Sequence, residues 1–545
     1  MLRISNIPLQ LDYTDESLRQ AVAKAVSLPA ARILSCKISR KAVDARDKRD
    51  VKLVVSVDAA LKISTAEEER LLANPQIKRI EPPPVFVPPM AKPAMRPIII
   101  GAGPAGLFAA LRLAKAGWKP IIWERGSDVD TRQKDVASFA GVPDKSADLA
   151  GWVGGYALNT ESNIQFGEGG AGAFSDGKLT CGIKDKLARE VIETFAKYGA
   201  PQSILIDAKP HIGTDYLPTV IKNMRRAIEE LGGAFMFQTK LEGVHSRSGK
   251  LTGITGMKRG ETVRLETEAT HALLAIGHSA RDTFRTLGDS GITFGRKPFA
   301  VGVRIEHSQE WLNRAQYGGF AGHPAIGAAE YKLAAHLPTA DVYTFCMCPG
   351  GTVVAAASEK GGVVTNGMST YARDSANANS AILVSPRNYS LFTAQEGSPL
   401  QAFDYLASLE EAAFRTGGGS FKAPVQKAGD FLAKRASRFA GTVKPTYPRG
   451  VTWCELDACL PANLTDALRA GLVRFNQLLP GFAAPDAVLT AVESRSTCPV
   501  KMLRSGAYET SISGVYAAGE GAGFAGGIVS AAVDGLRAAE AMMGG

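Results

Sequence analysis

What this 545-residue chain lacks narrows its function first. No apolar run reaches the length of a membrane span, about 20 residues, so no bilayer crossing is expected. Met1-Leu-Arg-Ile-Ser has neither the charged start nor the long apolar core of a secretory leader. The seven cysteines are odd in number and irregularly spaced. That argues against a disulfide framework and for a reducing cytoplasm. Four cysteines at zinc-ribbon spacing are absent, so no metal site is expected. No internal repeat stands out. The net charge of +10 is moderate and fits a solubility charge without a dedicated partner.

What remains is a long, ordinary globular composition, 45% hydrophobic and 21% charged, sized for two or three domains. Residues 1–82 alternate as βαββαβ, which suggests a small ferredoxin-like α+β module. This stretch is basic, with the cluster Lys37, Arg40, Lys41, Arg46, Lys48, Arg49 and Lys52. Asp44, Asp47 and Asp50 interrupt the cluster and no aromatic accompanies it. A solvated face is expected there, and nucleic acid is not. Residues 83–94 form a Pro-rich linker.

Then comes Pro97-Ile-Ile-Ile-Gly-Ala-Gly-Pro-Ala-Gly106, an apolar helix, and Ile121-Ile-Trp-Glu124-Arg125-Gly126. Strand, glycine turn, helix, strand and acid make the βαβ unit that holds a dinucleotide. Gly101 permits the turn, Gly103 lets amides approach a pyrophosphate, and Gly106 lets helix pack on strand. Pro104 and Ala105 open the helix, whose N-terminus attracts the anion. Glu124 stands where an acid should bond a ribose hydroxyl. Leu273-Leu-Ala-Ile276-Gly277 and Gly514-Val-Tyr-Ala-Ala-Gly519-Glu520 are two further strand-and-glycine segments. Gly526-Gly527-Ile528 opens a last helix. Three such sites with a single βαβ unit ask for one extended cofactor, and FAD is long enough.

On these segments, together with Phe166 to Lys178, Phe345 to Gly351, Asn366 to Ser369 and Ala517 to Glu520, the chain resembles glutathione-reductase-type flavoproteins. It is most similar to a bacterial family of uncharacterised FAD-dependent dehydrogenases with an N-terminal ferredoxin-like module. The resemblance implies an α/β fold. A Rossmann-type FAD-binding domain (95–285 and 490–545) would carry an inserted β-rich α+β substrate domain (286–489). Gly101, Gly103 and Gly106 would meet the pyrophosphate, with Arg125 beside Glu124 at the ribose. Leu241, on a strand from Ala234 to Leu241, would offer its backbone to adenine. Ile276, Gly277, Gly519 and Glu520 would line the middle of FAD. Gly526, Gly527 and Ile528 would face the flavin pyrimidine, where a helix dipole stabilises the reduced ring.

The loop Gly167 to Gly172 also fits GxGxxG, yet neither a buried strand precedes it nor an amphipathic helix follows. Its small residues, Gly169 and Gly170 among them, suit close approach to a flat ring, so a flavin-side loop is expected. Residues 127–163 read as an irregular polar insertion. Lys178, Asn366, Arg373 and Arg495 are candidates to bind an anionic substrate or polarise the flavin. His278 and His307 are expected to be structural, as are Cys454 and Cys459.

The expected function is hydride transfer, through flavin N5, to or from a small molecule that the sequence does not specify. NAD(P)H would act, if at all, as a transient donor. Two alternatives stand beside it. One is an RNA- or protein-binding factor with FAD as a structural ligand. The other is a disulfide reductase using Cys346, Cys348 and Cys498, against which the absence of CxxC weighs.

Overall fold

In the computed structural model, residues 1–81, 86–88, 90, 92–141, 157–387 and 397–544 are described. Part of the linker and of the region after Ala140 lies outside them. At the centre is a five-stranded parallel sheet. Its order is Val515–Ala517, Ala272–Leu274, Ile98–Ile100, Ile121–Trp123 and Ala234–Met236. The three middle strands are apolar runs because both faces are covered. The helices Pro104–Lys115 and Ile528–Met542 pack together on one face. A Cβ on Gly535 would lie 2.1 Å from the Ala105 carbonyl oxygen, so only glycine allows that contact. On the other face lies a meander of Thr239–Arg247, Lys250–Lys258 and Arg264–Glu268. Trp123 packs under it, against Gly256.

A second, seven-stranded sheet covers the carboxyl ends of these strands. Its order is Ala334–His336, Ala340–Cys348, Asn377–Pro386, Val301–Ser308, Val488–Glu493, Ala423–Lys427 and Val451–Trp453. Every pair is antiparallel except the last. The N-terminal strands form a four-stranded antiparallel sheet in the order Ile33–Asp44, Lys52–Leu61, Leu2–Leu9 and Ile77–Arg79. Capping boxes start both of its helices, at Thr14 with Ser17 and at Ser64 with Glu67. Its core continues into that of the seven-stranded block. Its edge strand is also bonded to the central body. Lys41 N–H donates to Ile206 O at 2.6 Å, and Ala208 N–H to Lys41 O at 2.8 Å. The basic cluster lies along a long hairpin, with Arg46 on Asp44 and Arg49 on Asp47 at its tip. Its charges are thus partly matched locally.

Two expectations need correction. The run Ala234 to Leu241 is broken at Gln238, whose φ of 56° reverses the chain, so Leu241 belongs to the meander. The stretch after Gly126 is not irregular throughout. Asp128 caps a helix, Val129–Ala140, through the Asp130 and Thr131 amides. Among the described residues no helix is long and apolar enough to cross a membrane.

Candidate functional site

The two sheets enclose a cavity of about 540 Å³, within the usual range for ligand sites. Its floor begins at the glycine turn. Gly101 has φ 103°, and a Cβ there would lie 2.4 Å from Ala275 O. Gly103, Pro104 and Ala105 line the cavity at the start of their helix. Gly106 does not. Its missing Cβ would fall 1.9 Å from Gly101 O, so it sets the packing of helix on strand. The expectation that it meets the pyrophosphate is corrected accordingly.

Glu124 is buried and does more than face a ribose. Oε2 accepts from Ala102 N–H at 2.8 Å, and Oε1 from Gly126 N–H at 2.9 Å and Gly167 N–H at 3.0 Å. One carboxylate therefore fastens three backbone segments. A carboxylate has about four acceptor positions, so one remains on Oε2. Arg125 lies over Phe166 at 4.0 Å and pairs with Glu161 and Asp282. Leu241 lines the same end.

The Gly167–Gly172 loop runs along the floor from the glycine turn to the last helix. Gly170 approaches the dinucleotide turn, where its Cβ would be 3.0 Å from Gly103 Cα. Gly172 abuts Ile528. Gly169 is turned away: its N–H donates to Ala102 O, a Cβ on it would strike Ile221, and it does not line the cavity. Arg132, which the sequence reading missed, holds this loop. Its buried guanidinium donates to the carbonyls of Asn163, Ile164, Gly167, Glu168 and Gly170 at 2.7 to 3.2 Å. Burial lowers its pKa to about 10, still well above neutrality. Val129, Arg132, Val136 and Phe139 recur at helical spacing, a signal that could have placed the helix but not the role of the arginine.

Further along, Ile276, Gly277, Gly519 and Glu520 all line the cavity. His278 Nδ1 lies 3.3 Å from Glu520 Oε1. Its Nε2 is buried with no hydrogen-bond partner among the described residues. The last helix begins at Gly527 without a side-chain cap, so its N-terminus, with Gly526 and Ile528, opens onto the cavity.

The opposite wall is built from side chains. Asp176 is buried beneath Lys178 and Arg373, whose charges hold its carboxyl well below the usual range. Arg373 Nε donates to Asp176 Oδ1 at 3.0 Å. Lys178 also donates to Met347 O. The Lys178 segment is fixed by Leu179 N–H to Pro210 O, 2.9 Å, and Ile212 N–H to Gly177 O, 3.1 Å. Asn366 lines the wall and accepts from Gly367 N–H at 2.7 Å. Arg495 reaches the cavity but is committed elsewhere. With Arg281 it surrounds Glu410 and Glu359 at 2.6 to 3.1 Å, a four-charge cluster joining the two halves.

The cysteines do not gather. Cys346 and Cys348 line the cavity, whereas Cys498 is buried outside its lining, against Gly521 O. All three are free thiols. Cys498 is buried, whereas Cys346 is exposed to the cavity; desolvation by the surrounding protein pushes both thiols up to about 12. His307 is structural: it bonds Phe482 O at 2.6 Å, stacks on Trp311, and burial pushes it down to about 4.

A family model described as FAD-dependent protein, C-terminal domain-like, matches residues 298–496, and a domain of unknown function matches residues 1–60. An uncharacterized protein of Clostridium beijerinckii is 43% identical over 548 residues, spanning 99% of this chain and 98% of that protein. Among solved structures, the chain is similar to a geranylgeranyl bacteriochlorophyll reductase-like protein of Thermoplasma acidophilum. That match has 13% identity, 83% and 79% coverage and a TM-score of 0.34. It is also similar to p-nitrophenol 4-monooxygenase of Pseudomonas putida, at 12% identity, 83% and 80% coverage and a TM-score of 0.36.

Proposed function

The chain belongs to a family of FAD-dependent proteins, and from that premise we propose a dehydrogenase that moves hydride between FAD and a small molecule. One observation carries the reading: a single cavity joins the dinucleotide turn, the Gly519–Glu520 segment and the open helix at Gly527 to a charged wall. The residues present fit FAD. The orphaned His278 Nε2 asks for a partner, and the side-chain-free faces of Gly103 and Gly170 form a cradle that a Cβ would fill.

Gly101 to Ala105, with the spare acceptor of Glu124, would hold the adenosine and pyrophosphate. Glu520 and His278 would hold the middle, and Gly526 to Ile528 the ring. When bound, FAD supplies a two-electron acceptor. The helix N-terminus favours negative charge at its end of the cavity. Lys178 and Arg373, tied down by Asp176, form a fixed positive edge that would orient a substrate. The seven-stranded sheet supplies one wall of this space. NAD(P)H would reach the same face transiently, because only one glycine-turn βαβ unit is present among the described residues. The free thiols support a reducing compartment such as the cytoplasm.

The test is the visible spectrum of the purified protein. A yellow protein that an added reductant bleaches anaerobically and that substrate then reoxidises is expected. A colourless preparation that FAD cannot reconstitute overturns the reading.

A further inference from the structure

Glu493 ends the strand Val488–Glu493 in the wall facing the open helix and lines the cavity while almost wholly buried. One oxygen is fixed: Oε2 accepts from Arg304 Nε at 3.2 Å and lies 3.4 Å from Thr365 Oγ1. Arg304 is itself fully buried and divides its donors among Glu493, Asn379 Oδ1 and Cys346 O.

Neighbouring charged groups of this wall are already engaged. Lys178 and Arg373 are bound to Asp176. Cys348 is a buried thiol and Cys346 opens onto the cavity; desolvation raises both. We infer that Glu493 is the proton-transfer group of the reaction, resting on the dehydrogenase reading above. Burial pushes its carboxyl up to about 7, with Arg304 pulling the other way, which suits a group that must both take and give a proton.

The step balances for an alcohol or amine substrate. The C–H bond breaks, and its hydride would go to the two-electron acceptor that FAD would supply in the cavity. The O–H or N–H bond breaks, its electrons form the new C=O or C=N bond, and its proton goes to the Glu493 carboxylate. In the reverse direction the Glu493 carboxyl returns that proton.

Two readouts need no known substrate. The first is the reduction potential of bound FAD across the neutral pH range. Its slope should steepen between the carboxyl's pKa with FAD oxidised and its pKa with FAD reduced, the window in which reduction draws a proton onto the carboxylate. Glu493→Gln should remove the steepening. The second is the infrared carboxyl band of glutamate-labelled native protein, which should titrate near neutrality and shift when FAD is reduced. Glu493→Asp keeps the charge opposite Arg304 and should retain a displaced band even where Glu493→Gln fails to fold. Once a substrate is known, Glu493→Gln should slow its oxidation by about 10²–10⁴-fold.

Failure to bind FAD overturns the dehydrogenase reading and this one with it. FAD bound with a slope that does not steepen, or with steepening retained in Glu493→Gln, overturns only the role of Glu493. A band that ignores FAD reduction does the same.

Discussion

The floor and the wall of the cavity are built by opposite means. The floor is backbone: glycine turns and a bare helix end, stapled by Glu124 and by the five carbonyl contacts of Arg132. The wall is side chain: Asp176 between two cations, Glu493 on Arg304, and the Arg281–Glu410–Arg495 cluster. A floor made of amides has shape and dipoles that hardly depend on pH. A wall made of ionisable groups can orient, protonate and discriminate. On the function proposed above, binding would fall to one surface and chemistry to the other.

Three experiments would break or sharpen that division. The largest effect is expected at the floor. Gly106→Val puts carbon where only 1.9 Å separates the ideal Cβ from Gly101 O. It should abolish flavin content and lower the yield of folded protein, as read by absorbance and a thermal melt. At the wall, Asp176→Asn leaves Lys178 and Arg373 without their carboxylate and should cost about 3–5 kcal/mol of stability. FAD content should survive. Equal loss of flavin in both variants would end the division.

The smallest effect concerns a staple beneath the floor. Glu168 is buried near Arg225, and burial raises its carboxyl from 4.5 to about 7. A raised acid contributes stability below its unfolded pKa and loses it as pH rises through the folded one. The apoprotein should therefore melt lower as pH rises from about 4.5 past 7, and Glu168→Gln should flatten that slope. A slope unchanged by the substitution would assign it to other groups.

The same division explains what could be read from sequence. Glycine turns have spacing, because Gly101, Gly103 and their flanking strands are contiguous in the chain. Most of the floor was legible for that reason. Gly106 and Gly169 were misassigned because spacing does not say which way a glycine faces. The wall is assembled across long separations: Arg495 meets Glu410 from 85 positions away and Glu359 from 136. No local pattern announces such a pair. Lys178, Asn366 and Arg373 do line the cavity, but no local spacing signals that Asp176 binds two of them. Glu493 was missed because its meaning comes from Arg304, 189 positions earlier.

The bonds between Lys41 and residues 206–208 have a practical consequence. A few residues on, Pro210 and Ile212 exchange bonds with the segment carrying Lys178. The N-terminal module thus braces the segments that carry the charged wall. Trimming residues 1–80 to obtain a smaller protein for crystallography or drug screening would unclamp the surface such work aims to see.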